Sequence, residues 1–219
     1  MSRDPDRLIL SFHRNHSQLL SAHTLGCIRG ERRLFAGIDL AVEPGQCLHV
    51  RGENGVGKTS LLRILAGLAA PAEGSVAWRG QPVARVVDDY HQNLLFLGHH
   101  NALKEDLTAL ENLMFAAGLD GATLTEDEAT GALRRFGLRG REDLPVRCLS
   151  AGQKRRVLLA RLLTRKAPLW ILDEPFAALD TGAVQALADL IAEHLAIGGM
   201  TVMTSHQAIP LNNVRSLQL

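Results

Sequence analysis

Residues Gly52-Glu53-Asn54-Gly55-Val56-Gly57-Lys58-Thr59 follow the spacing GxxxxGK[ST], and no other run constrains the fold of this chain as tightly. Glycines at that spacing let successive backbone N–H groups turn inward around a phosphate. The run needs a strand to deliver it and a helix to receive it, because the helix adds its positive N-terminal end to the cradle. Both signals are present. Leu34 to Val50 alternates loosely between apolar and polar and is broken by Pro44-Gly45, which predicts a strand, a turn and a second strand entering the loop. From Thr59 onward, Leu61, Leu62, Leu65 and Leu68 fall on one helical face. Lys58 is expected to reach the β- and γ-phosphates of a nucleotide, and the Thr59 hydroxyl to ligate Mg²⁺. Gly52, Glu53, Asn54, Gly55, Val56, Gly57 and Ser60 complete the expected cradle.

The rest of the chain alternates strand and helix signals. Gly74 to Val87 predicts a short β excursion around Arg79-Gly80. Thr108-Ala-Leu-Glu111 and Thr125-Glu-Asp-Glu128 are capping boxes, each opening a helix, and Gly137 is placed to end the second. Residues from about 105 to 150 therefore suggest a helical insert. A helix after Gln153, a buried strand Leu169–Leu172, a helix from about Thr181 and a strand Thr201–Thr204 follow. Such alternation implies a mostly parallel sheet covered on both faces. The expected fold is an α/β phosphate-loop NTPase of RecA-like type, with a small antiparallel β subdomain and a helical insert. Residues 19–219 form one domain in this scheme, and 1–18 a loose extension.

Acidic and polar residues cluster where such a sheet builds its site. Asp173 and Glu174 follow the apolar strand Leu169-Trp170-Ile171-Leu172, which sets them at the sheet's C-terminal edge. Asp173 is the expected Mg²⁺ holder and Glu174 the group that polarises an attacking water. Leu149-Ser150-Ala151-Gly152-Gln153 opens a helix whose start suits an anion, through the Ser150 hydroxyl and the Gly152 N–H. Lys154, Arg155 and Arg156 crowd the first turn of that helix, where cations oppose its dipole. They either face phosphate or acidic groups across a subunit boundary or are simply solvated.

A phosphate loop followed by an LSxGQ segment resembles the ATP-binding-cassette (ABC) family, and the likeness runs from about residue 20 to the end of the chain. Membership implies ATP and Mg²⁺ as cofactors. It also implies a head-to-tail homodimer, because Ser150, Gly152 and Gln153 would bind the γ-phosphate of a nucleotide held by the opposite subunit. Asp180, closing Ala178-Leu179-Asp180, matches the family's D-loop and is also placed to cap a helix. His206, after Thr204-Ser205, matches the switch histidine that contacts the γ-phosphate. His99, of the pair His99-His100, stands where the family usually carries a glutamine that senses Mg²⁺ and faces the membrane partner. As a Mg²⁺ ligand it would have to be neutral. Where the family stacks an aromatic on adenine, this chain has Cys27-Ile28-Arg29-Gly30, which leaves Arg29 or Ile28 to meet the base.

Finer signals narrow the resemblance. Leu97-Gly98-His99-His100 with Lys104 and Leu107–Leu113, Cys27-Ile28-Arg29 before Glu31-Arg32, Gly57–Gly67, and Pro168–Asp180 are similar to the ATP-binding subunits of cytochrome c maturation haem exporters. That likeness implies membrane partners of the CcmB and CcmC type and a place on the cytoplasmic face of a bacterial inner membrane. The ATPase of another importer or exporter carries nearly the same cassette. A soluble ABC ATPase acting on DNA or ribosomes fits less well: such chains insert long coiled coils or carry two cassettes.

Composition excludes other classes. Formal net charge is +1, so no bulk attraction to nucleic acid is expected. Cys27, Cys47 and Cys148 form no CxxC pair, which favours reduced thiols over a disulfide frame or zinc site. No apolar run approaches the ~18 residues of a membrane span. Met1–Gln18 is polar and charged and does not resemble a secretory signal. From the short stretch after His206, no C-terminal regulatory domain is expected.

Overall fold

Strand-forming residues divide between two sheets of opposite character. The structure, a computed structural model, describes residues 19–99, 102–207, 209–212 and 214–219. The expectations for residues 1–18 and for His100 lie outside the described residues. Strand β1 (Leu20–Arg29) pairs antiparallel with β2 (Arg32–Val42) on one edge and with β4 (Glu73–Trp78) on the other. The two-residue β5 (Gln81–Pro82) completes a four-stranded sheet in the order β2-β1-β4-β5. The second sheet contains β3 (Cys47–Arg51), β6 (Leu94–Leu97), β7 (Leu169–Leu172), β8 (Met200–Thr204) and β9 (Val214–Gln218). Its order is β6-β7-β8-β3-β9, and every pair is parallel.

Two cores cover the faces of the parallel sheet's inner strands, and the period of two sorts side chains between them. In β7, Leu169 and Ile171 join the core that holds the antiparallel sheet and α1 (Lys58–Leu65). Trp170 and Leu172 join the core on the opposite face. That core also takes α3 (Ala109–Leu119), α4 (Glu126–Arg135), α5 (Ala151–Thr164) and α6 (Thr181–Ala196). A short α2 (Val87–Gln92) precedes β6.

Local chemistry fixes the element ends. Both threonine capping boxes form, with Thr108 accepting from the Glu111 N–H and Thr125 from the Glu128 N–H. Gly137, at φ +73°, follows the end of α4. Helix α1 is shorter than its leucine spacing suggests: it stops at Leu65, and Leu68 is 47% exposed. Gly67 adopts a left-handed φ of +70° there, which turns the chain away before Leu68 can reach the core. Among the described residues, no helix is long and apolar enough to cross a membrane.

Candidate functional site

Three neighbouring strand ends build the site. β7, β8 and β3 lie side by side, with Leu172 opposite Met203 and Thr204 opposite Val50. Their C-terminal ends therefore bring Asp173-Glu174, the Thr204–His206 segment and the phosphate loop to one edge of the sheet. A cavity of about 360 Å³ opens there. Lys58, Thr59, Ser60, His99, Asp173, Glu174 and His206 line it, together with Asn54, Gly55, Gly57 and Leu34. A larger groove of about 1480 Å³ beside β6 and the end of α5 holds neither the loop nor the acidic pair, so the chemistry belongs to the smaller cavity.

The phosphate loop closes on itself through its lysine. Lys58 Nζ donates to the carbonyls of Gly52 (2.8 Å) and Glu53 (3.1 Å), which arches the loop around the ammonium. Gly57 takes φ +115°, a conformation L side chains rarely adopt, and a Cβ there would press within 3.0 Å of the Phe35 ring. This is the turn that launches α1 with its N-terminus toward the cavity.

Asp173 is buried and doubly held. Oδ2 accepts from the Thr59 hydroxyl at 2.8 Å, and Oδ1 accepts from the Thr204 hydroxyl at 2.7 Å. Thr204 in turn accepts from the Glu174 N–H at 2.9 Å. The Thr59 hydroxyl and the Asp173 carboxylate thus meet at the cavity wall as a hard-oxygen pair, which fits Mg²⁺ better than a softer ion. Glu174 sits at φ +50°, unusual for a residue with a side chain. Its Oε2 accepts from the His206 N–H at 3.1 Å, and His206 Nε2 lies 3.4 Å from Oε1. Oε1 is buried without a hydrogen bond, so the His206 ring is close to it but not bonded to it.

Arg155 contributes a function that its place in a row of cations obscured. It is 4% exposed and donates to the carbonyls of Gly98 (3.2 Å), Asp173 (2.9 Å) and Glu174 (2.8 Å). Burial pulls its pKa below the usual arginine range, and the charges of Asp173 and Glu174 oppose that pull. Its neighbours are also paired within the chain, Lys154 with Glu105 at 2.8 Å and Arg156 with Asp180. Each of the three cations thus has an acceptor within the chain. The sequence signal was available: Arg155 shares the i, i+3, i+4, i+7 stripe of Leu158, Leu159 and Leu162.

Other expected residues lie apart from the cavity. Ser150 caps α5 in a capping box, accepting from the Gln153 N–H at 3.3 Å while Gln153 Oε1 accepts from the Ser150 N–H at 2.9 Å. Ser150, Gly152 and Gln153 do not line the cavity. Gly152 packs against the chain before Asp180, where an added Cβ would meet the Ala178 carbonyl at 2.9 Å. Asp180 caps α6 by accepting from the Ala183 N–H at 2.9 Å. Arg29 is exposed where β1 turns into β2, outside the lining; the antiparallel sheet reaches the cavity through Leu34 instead.

Comparison with known proteins agrees with this geometry. Residues 35–177 match the family model described as ABC transporter. The chain is 55% identical over 203 residues to the cytochrome c biogenesis ATP-binding export protein CcmA of Dechloromonas aromatica, covering 92% of this chain and 100% of that one. It is 48% identical to the CcmA of Nitrosomonas europaea, covering 90% and 92% of the two chains. Among solved structures, an ATP-binding subunit of an ABC transporter superposes with TM-score 0.76 at 28% identity, over 86% of this chain and 80% of that one. A post-hydrolysis dimer of the cassette MJ0796 bound to ADP and Pi shares the fold at TM-score 0.77 and 23% identity, over 86% and 88%. With a phosphate loop and an acidic strand end facing one cavity, and likeness along nearly its whole length, this chain belongs to the ABC transporter family as an ATP-binding subunit of the CcmA type.

Proposed function

We propose that this chain is the ATP-hydrolysing subunit of a haem-export complex serving cytochrome c maturation. The observation that carries the reading is the 55% identity to a cytochrome c biogenesis export protein along that relative's full length. Two copies would meet head to tail, beneath integral-membrane subunits of the CcmB and CcmC type, on the cytoplasmic face of a bacterial inner membrane.

In this reading Lys58 leaves the Gly52 and Glu53 carbonyls to meet the β- and γ-phosphates. Thr59 and Asp173 hold Mg²⁺, which when bound offsets phosphate charge. Glu174 polarises the attacking water, with its carboxylate steered by the His206 N–H, and the His206 ring meets the γ-phosphate. His99 senses the nucleotide from the cavity wall. Ser150, Gly152 and Gln153 stand outside the cavity because they complete the partner copy's site. Leu34, which lines the cavity, is a more direct candidate than Arg29 for contact with the base.

Replacing Glu174 with Gln keeps the shape of the site and removes the charge that polarises water. A strain carrying only Glu174→Gln is expected to lack covalently haem-bound periplasmic cytochromes while keeping b-type cytochromes, which need no covalent attachment. Haem staining of denaturing gels reads this directly. Normal c-type bands would move the cargo to another transporter and leave the ATPase reading intact.

A further inference from the structure

His49 lies inside β3, the strand that feeds the phosphate loop, and is only 8% exposed. Its Nε2 sits 3.2 Å from the Ser205 carbonyl oxygen, 156 positions away in sequence. A carbonyl only accepts, so Nε2 carries the proton. Burial lowers the imidazole pKa, helped by the positive charges of Arg51 and Lys58 and opposed by the Ser205 contact and the charge of Glu174. A neutral Nε2–H tautomer matches that contact.

The Ser205 carbonyl and the His206 N–H belong to one planar peptide unit. On one edge the carbonyl accepts from His49 at 3.2 Å; on the opposite edge the N–H donates to Glu174 Oε2 at 3.1 Å. Two side chains thus hold one peptide plane from both sides, and each bond polarises the other. Rotation of that plane would break both bonds, release the Glu174 carboxylate and swing the His206 ring.

We propose that His49 is a positioning residue for hydrolysis: it fixes the Ser205-His206 peptide so that Glu174 and His206 keep their angle to the attacking water. The inference rests on the assignment of Glu174 to water activation. Most of the phosphate binding is assigned to Lys58 and the loop backbone, with the His206 ring adding one contact, so loss of His49 lowers turnover far more than nucleotide affinity.

ATPase assays of the full-length chain in its assembled complex test this. His49→Leu and His49→Met remove the donor at similar bulk. In either variant kcat is expected to fall about tenfold or more, while KM for ATP stays within about twofold. His49→Gln, whose amide N–H can donate to the same carbonyl, restores most of kcat. Wild-type kcat in a folded Leu or Met variant overturns the proposal, as does a Gln variant no better than Leu. If neither apolar variant folds, imidazole ¹⁵N NMR of the wild-type chain decides: the Nε2–H tautomer supports the proposal and the Nδ1–H tautomer refutes it. Glu174→Gln in the same assay separates the two readings. If it turns over normally, the water-activation assignment fails; if it stops while His49→Leu is unimpaired, only the role of His49 fails.

Discussion

Asp173 is 2% exposed, so its carboxylate oxygens need hydrogen-bond donors supplied by the chain. Thr59 holds one oxygen and Thr204 the other. Thr204, fully buried, also accepts from the Glu174 N–H and so sets both acidic residues at once. Thr204→Val keeps the shape and removes the hydroxyl. It is expected to cost about 1–3 kcal/mol of stability, because a buried carboxylate and a backbone N–H each lose a partner. Turnover should drop with it, and Thr204→Ser should recover most of both losses. Denaturant melts and ATPase rates on the three proteins measure this; an unimpaired Thr204→Val would remove Thr204 from the site. Lys58, Thr59, Asp173 and Glu174 were legible because their motif spacing is local. Thr204 was not: a threonine on a buried strand is ordinary by β propensity, and its partners lie 30 and 31 positions away. Leu34 was hidden in the same way, since only the packing of the antiparallel sheet over the loop brings it to the cavity.

Elements with strong local punctuation matched their sequence signals. β7 runs Leu169–Leu172 as its apolar run required, and both threonine capping boxes open helices. β6, β9 and α2 carried weaker signals. β6 and α2 are only 4 and 6 residues long, and β9 is a half-exposed edge strand whose pairing with β3 is set by tertiary contact. The α6–β8 junction adds a pH-sensitive feature. His194 of α6 stacks on Trp170 of β7, with ring centroids 3.7 Å apart and planes 3° from parallel. Burial lowers the His194 pKa, opposed by contacts with the Met200 and Pro168 backbone. An unfolded imidazole takes up a proton near its ordinary value of about 6.5. The folded one does so only at lower pH, so below about 6.5 the unfolded chain binds more protons and stability falls with pH. His49 adds to the same trend, its pKa being lowered mainly by burial. His194→Phe keeps an aromatic stack and removes the titration. Its drop in melting temperature between about pH 7.5 and about pH 5.5 should be smaller than the wild type's. Equal drops in the two proteins would show that His194 does not drive the effect.

The whole molecule holds one phosphate loop and one LSxGQ segment, and they do not share a cavity. Lys58, Thr59, Asp173, Glu174 and His206 surround about 360 Å³, whereas Ser150 and Gln153 satisfy each other at the start of α5. A phosphate at the Ser150 end would meet a helix N-terminus and a hydroxyl but neither the loop lysine nor the acidic pair. Two copies placed head to tail would bring each LSxGQ segment over the other's loop, giving two shared sites per dimer. The arrangement makes an arithmetical demand that a self-contained site does not. Lys58→Ala disables one subunit's loop, and Ser150→Arg places bulk and charge where the partner's γ-phosphate would sit. Each variant alone spoils both sites of its homodimer. In a mixed dimer, the loop of the Ser150→Arg subunit faces the unaltered LSxGQ of the Lys58→Ala subunit, and that site is intact. The opposite site carries both defects. Mixing the two inactive proteins should therefore recover activity in proportion to the heterodimer formed, to about half the wild-type value per dimer if the two sites fire independently. Native mass spectrometry counts the heterodimers and phosphate release counts the turnovers. Heterodimers with no activity would mean that both sites must fire together or that sites are not shared. A Ser150→Arg homodimer with wild-type activity would mean that each chain completes its own site.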